Sequence, residues 1–154
     1  MAARRHPDPR QGDLLGWEPP ALVERFEERQ VRAGSLRGQI ARAVAATLTE
    51  CALDREDIAA RMTEYLGEDV SRAMLDAYAS QAKGAHSISF VRLIALVEVT
   101  GDARPLQLAA EQAGRAVVDA KYVHAIRAEM IREKREALDR EEKAARRAWK
   151  GARR

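Results

Sequence analysis

Cysteine is almost missing from this chain: Cys51 stands alone in 154 residues. A disulfide within the chain is therefore excluded, and a chain of this length can bury a core without one. Cys51 falls on the apolar side of a predicted helix, which makes it a small core residue in a reducing cytoplasm. Histidine is also sparse. His6, His86 and His124 are isolated, none with a second ligand three or four positions along the same helix, so no zinc spacing exists and no metal is expected. The glycines fall at predicted helix ends and in an N-terminal arm, which leaves no glycine-rich phosphate loop. No run approaches the roughly 18 apolar residues of a membrane span, and the N-terminus MAARRHPDPR lacks a signal peptide's apolar stretch. A soluble, cytoplasmic protein is expected, with no membrane partner. Carboxylates are plentiful but lie on predicted solvent faces beside basic partners, not in the apolar settings that raise a pKa for acid–base work. Neither an enzyme nor a cofactor is expected.

What is present is charge, unevenly spread. The net charge is only +3, but residues 1–53 carry 8 basic and 7 acidic side chains, residues 54–115 carry 7 and 10, and residues 116–154 carry 12 and 7. The middle of the chain is mildly acidic and the C-terminus strongly basic.

The stretch around which the chain is organised is LDREDIAARMTEYLGEDVSRAMLDAYASQAKG, residues 53–84. Asp54 is a good N-cap, with Leu53 before it and Ile58 after it placed to close a hydrophobic staple. Ser71 repeats the device with Val70 and Leu75, so a second helix is predicted from Ser71 to about Ala82, ended by Lys83 and Gly84. Met74, Leu75, Tyr78 and Ala82 share its inner face. Arg72, Ala73, Asp76, Ala77, Ser80 and Lys83 share the outer one. This is the pattern of a helix-turn-helix, in which small residues between hydrogen-bonding ones let a helix approach the floor of the major groove of duplex DNA. Ser71, Arg72, Ala73, Asp76, Ser80 and Lys83 are the candidate contacts, with Arg72 in the turn that meets base edges. The plainer reading stands beside it, since two amphipathic helices joined by a turn occur in most all-α proteins. The acidic balance of the region argues against its gripping phosphates alone; oligomerisation or the basic tail would have to supply those contacts.

Residues 1–19 read as a flexible arm, because residues 1–20 hold four of the five prolines. Within the arm, Gln11, Leu14, Leu15 and Trp17 form a short apolar cluster. It resembles the Gln-x-Asp/Ser-Leu-Phe/Leu peptide by which bacterial proteins engage the replication sliding clamp, with Gly12 and Leu15 departing from the usual leucine and phenylalanine. Docking on a replication protein and packing onto the chain's own core are both open.

From Pro19 and Pro20, Leu22, Val23, Phe26 and Gln30 mark a short helix ending near Ala33-Gly34. Ser35 caps the next, whose Leu36, Ile40, Val44 and Leu48 recur every four residues and whose alanines suggest close packing, most economically on the Asp54 helix. Ser87 or Ser89 caps a helix apolar on nearly every face, expected at the centre of the bundle and ended by Gly101. Pro105 opens another, closed by Gly114. Residues 20–118 thus read as an all-α helical bundle containing the helix-turn-helix.

Residues 119–154 read as one long C-terminal charged helix, running from Asp119 to about Trp149. Its first half carries Tyr122, Val123, Ile126, Met130, Ile131 and Leu138, and a contact between subunits is expected around Ile126, Met130 and Leu138. Its second half is charge and alanine. Glu136 with Arg140, Asp139 with Lys143 and Glu142 with Arg146 lie at i, i+4, each adding roughly 0.3 kcal/mol to an isolated helix. Beyond Glu142 there is no acid. Lys143, Arg146, Arg147, Lys150, Arg153 and Arg154 form a basic tail around Trp149, suited to phosphates or simply to complementing the helix C-terminus.

From Ile58 to Val118 the order IAARM, EDVSRAMLDAYAS, SISFVRLIALVEVTGD, PLQLAAEQAGRAVV resembles the CII-like regulators of temperate bacteriophages. There a helix-turn-helix precedes a buried helix ending in a Thr-x-Asp turn and a short helix with an apolar start; here Thr100-Gly101-Asp102 and Leu106 to Ala110 occupy those places. The connection RMTEYLGED is longer than the family's tight turn, so the first helix or the turn must be extended. The resemblance implies a DNA-binding transcription regulator of a phage or prophage, acting as a homo-oligomer. The alternative is a non-enzymatic adaptor that docks a replication protein through residues 11–17.

Overall fold

A computed structural model describes residues 21–80 and 87–152. The chain is all-α, and no strand occurs among the described residues. Seven α-helices follow in order among them: α1 (Glu28–Val31), α2 (Leu36–Glu50), α3 (Arg55–Leu66), α4 (Arg72–Tyr78), α5 (Phe90–Thr100), α6 (Arg104–Glu111) and α7 (Val123–Gly151), with a 3-10 turn, Ala120–Tyr122, leading into α7.

Four of the helices start where short polar side chains allow. Ser35 accepts a hydrogen bond from the Gly38 N–H, Asp54 from Asp57, Ser71 from Met74 and Ser89 from Arg92. Each cap satisfies a donor the helix itself cannot pair. Ser89, not Ser87, therefore starts α5. Gly67 and Gly101 end α3 and α5 at positive φ, 66° and 71°, the left-handed conformation that glycine adopts without a Cβ clash. Gly38, by contrast, lies inside α2, where a Cβ would come 3.0 Å from the Ala33 Cβ.

The core gathers Val44 and Leu48 of α2, Ile58, Ala59 and Met62 of α3, Leu75 and Tyr78 of α4, and Ala95 and Leu96 of α5. Cys51 and Leu53 pack against its edge, as a small core residue and one arm of a staple should. α3 packs mainly on α5 and α4, while α2 packs on α1, α6 and α4. α2 thus packs chiefly on α6 and α1, not on the Asp54 helix.

Several expectations are corrected. The predicted helix from Pro19 shrinks to the single turn α1. Residues 21–27 are not helical; Phe26 lies under the Arg104 guanidinium at 4.3 Å, and Arg25 reaches Glu111 at 2.5 Å, so their side chains serve tertiary docking. Arg42 of α2 secures α1 by donating to the Gln30 and Arg29 carbonyls at 2.8 and 3.2 Å. The Ser71 helix ends at Tyr78, four residues short of Ala82. There the Ser80 N–H falls back to the Ala77 carbonyl at 3.3 Å, tightening the last turn as helix ends do. α5 is buried through Leu93, Ala95 and Leu96, but its first turn exposes Phe90 and Val91. The long helix begins at Val123 rather than Asp119.

A polar clasp closes the bundle. Asp102, beyond Gly101, accepts from the Thr47 hydroxyl at 2.6 Å, from the Arg104 N–H at 3.0 Å and from its guanidinium at 2.8 and 2.9 Å. Arg104 also donates to Glu50 at 2.7 Å, tying α6 to the end of α2. Nearby, Gln107 is 2% exposed; its carbonyl accepts the Val117 N–H at 2.6 Å and its amide donates to Glu111 at 2.6 Å.

A candidate nucleic-acid interface

α3 and α4 are held at a fixed angle by the turn at residues 67–70. The Thr63 hydroxyl donates to the Ala59 carbonyl at 3.0 Å and accepts the Val70 N–H at 2.9 Å, while the Gly67 N–H returns to the Thr63 carbonyl at 2.9 Å. Val70, 4% exposed, plugs the turn into the core. The long connection RMTEYLGED is thus accommodated by extending the first helix to Leu66, which leaves four residues before the Ser71 cap.

α4 sits on this frame with Leu75 and Tyr78 buried and Met74 half-buried. The Tyr78 hydroxyl accepts from Arg92 of α5 at 2.5 Å. Arg72 and Ala73 face outward and exposed, and Asp76 is half-exposed. Ser71, Arg72, Ala73 and Asp76 therefore share one end of one short helix. Ser80 lies beyond the helix end and is half-buried, and Lys83 lies outside the described residues.

The outer face is an ionic network. Arg72 donates to Glu56 in the first turn of α3 and has Asp76 at 3.7 Å; Asp76 in turn receives Arg55. The Arg72 pKa is raised, first by the hydrogen bond to Glu56, then by the charges of Glu56 and Asp76. The residue is cationic at any working pH, so the consequence is positional: its guanidinium is held by carboxylates. Asp76 serves as an anchor for two arginines, and the Ser71 hydroxyl is engaged as the cap. A phosphate or guanine edge approaching α4 would compete with Glu56 for Arg72.

The second basic element is the end of α7. Lys143, Arg146, Arg147 and Lys150 recur at i, i+3, i+4 and i+7 and are all exposed, so they line a single face. Of the three spaced pairs, Glu142 and Arg146 meet at 2.5 Å. Trp149 is 60% exposed on a neighbouring face. Arg153 and Arg154 lie outside the described residues, as do Gln11, Leu14, Leu15 and Trp17 of the arm.

Ile126, Met130 and Leu138 are exposed, and α7 has no buried residue. Among the described residues no group of three His, Cys, Asp or Glu is placed to hold a metal ion, and no helix is long and apolar enough to cross a membrane. Sequence reading missed Thr63, Arg104 and Gln107, the polar residues that orient the turn and close the bundle. A threonine four residues before a helix-ending glycine is the one local signal that marks Thr63.

No known protein family, curated protein or solved structure matches the chain.

Proposed function

We propose that the protein is a non-catalytic, DNA-binding transcription regulator, of the phage or prophage kind its sequence resembles, that acts as a homo-oligomer. It reads duplex DNA with the outer face of α4 and grips phosphates with the basic face ending α7. The observation that carries this reading is the posture of α4: its apolar side is spent on the core, and Arg72 and Ala73 stand outward beside a rigid turn. An adaptor that used the bundle only as a scaffold would have this helix covered by its neighbours. Arg72 is restrained by Glu56 until a better acceptor arrives, which favours specific over random contacts.

The test is binding to duplex DNA flanking the protein's own gene and to random duplex, each at two salt concentrations. Arg72→Ala is expected to weaken the preferred site by roughly tenfold or more while changing random DNA little, the size of one base-edge contact. Deleting residues 150–154 removes three cationic side chains. It should weaken all sequences alike and flatten the salt dependence by about one unit of slope for each phosphate no longer neutralised. An unchanged ratio of specific to random binding in Arg72→Ala removes α4 as the reading element.

Glu56→Gln offers a second check. It takes away the carboxylate that holds Arg72, so random DNA should bind more tightly and the specificity ratio should fall. Titrations of the two duplexes read this directly. Equal affinities for wild type and variant would mean that Glu56 does not restrain Arg72 in solution.

A further inference from the structure

α7 is 29 residues long, about 43 Å at 1.5 Å per residue, and leaves no residue buried. At about 100° per residue, Val123, Ile126, Met130 and Ile131 continue through Ala137 and Leu138 into Ala144, Ala145 and Ala148, forming one apolar face along the helix. The basic face of Lys143, Arg146, Arg147 and Lys150 lies on the opposite side. Three charged residues fall within the apolar stripe: Arg127 near its start, and Lys134 and Glu141 further along. Lys134 and Glu141 stand symmetrically about a point between Ala137 and Leu138, close to the middle of α7.

The structure assigns this stripe to a second copy of the chain, packed antiparallel with its twofold axis passing between Ala137 and Leu138. The register follows from the pattern. It brings Lys134 against Glu141 of the second copy, twice per dimer. It sets the bulky Met130 and Ile131 against the small Ala145 and Ala144, so large and small side chains alternate across the seam. On one border, Glu133 comes within one turn of Arg140 of the second copy. A parallel, in-register pair would do the reverse: lysine would face lysine at 134 and glutamate would face glutamate at 141, and the two basic tails would lie side by side. Charge complementarity therefore selects both the occupant and its direction.

This inference deepens the oligomer of the proposed function and stands independently of its DNA half. In the antiparallel dimer each tail ends beside the start of the other copy's α7, next to that copy's bundle. The cationic charge that residues 54–115 lack is then delivered in trans, with the basic face turned away from the seam.

The experiment uses the full chain without DNA, in a Cys51→Ala background. Met130→Cys and Ala145→Cys are made separately and oxidised alone and mixed. The mixture is expected to give a cross-linked dimer and each variant alone none, because identical positions lie about 22 Å apart along the antiparallel axis. In parallel, Lys134→Glu and Glu141→Lys should each shift the mass seen by light scattering from twice the 17.1 kDa of the chain toward the monomer, and their combination should restore it. These positions are exposed on α7, so the melting of the bundle serves as the control for folding. Self-linking of Met130→Cys, a monomeric wild type, or single charge reversals that leave the mass unchanged would each overturn the assignment. Loss of DNA binding alone would leave it standing.

Discussion

Leu75→Ala will destabilise the bundle by about 3 kcal/mol, within the range found when a buried leucine is cut to alanine and the cavity only partly collapses. Leu75 is fully buried, and α4 is just seven residues long, too short to hold itself together. Leu75 and Tyr78 are the buried anchors of its inner face, with Met74 packed beside them against the core. The destabilisation appears as a lower urea midpoint with an unchanged m-value, and as a fall in melting temperature of roughly 10–20 °C for a bundle of this size. On the proposed function, preferred-site DNA binding should weaken before random binding does, because the tail proposed to grip phosphates is untouched. A change below about 1 kcal/mol would mean that α4 is not seated as described.

Asp102→Ala is expected to cost a similar amount, about 3 kcal/mol, since it removes a charged acceptor and strands a buried hydroxyl. Thr47, 1% exposed, has its Oγ1 donating to that carboxylate at 2.6 Å, and Arg104 would keep only Glu50 as an ionic partner. Asp102→Asn is the milder comparison, because it keeps an acceptor and loses the charge. The same group gives stability a pH dependence. Burial, the largest single influence, pushes the Asp102 pKa up, but the hydrogen bonds from Arg104 and Thr47 together outweigh it and the net shift is downward. Stability from a carboxylate with a depressed folded pKa is fully present above its unfolded value, about 3.9. It is lost as the pH falls below that value and through the lower folded one. Glu111, lowered by Gln107 and then Arg25, acts in the same direction. Acid unfolding of wild type should therefore steepen below about pH 4, and Asp102→Ala should flatten that limb. Identical acid limbs would remove Asp102 as its source.

The helix starts were legible because each is a local event. Ser35, Asp54, Ser71 and Ser89 each bond a backbone N–H three residues on, and the apolar residues after them repeat at helical spacing. The all-α class followed from the same periodicity. What was not legible depends on residues far apart in the chain. Leu22, Val23 and Phe26 have helical spacing, yet Arg104 and Glu111, some eighty positions away, hold that segment in another conformation. The alanines of α2 announced a close neighbour, but the economical choice, the Asp54 helix, gives way to α6 and α1 in the folded chain. Gln107 looks like an ordinary surface glutamine until Val117 folds over it. At the candidate site the cap and the outward face of α4 were readable. The pairing of Arg72 with Glu56 crosses from one helix to the next and depends on the angle Thr63 sets at the turn.

The absence of buried residues in α7 divides the chain calorimetrically. Unfolding heat capacity grows with the apolar surface newly exposed to water, so the bundle should carry nearly all of it in one sharp transition. α7 alone has almost no such surface to expose. In dilute solution it should unwind gradually as helix–coil equilibria do, over tens of degrees and without a peak. At high protein concentration a second helix would cover its stripe, and the same residues should then acquire a cooperative transition whose temperature rises with concentration. A single sequence would thus give a one-peak or a two-peak thermogram according to dilution, with the bundle's own peak staying in place.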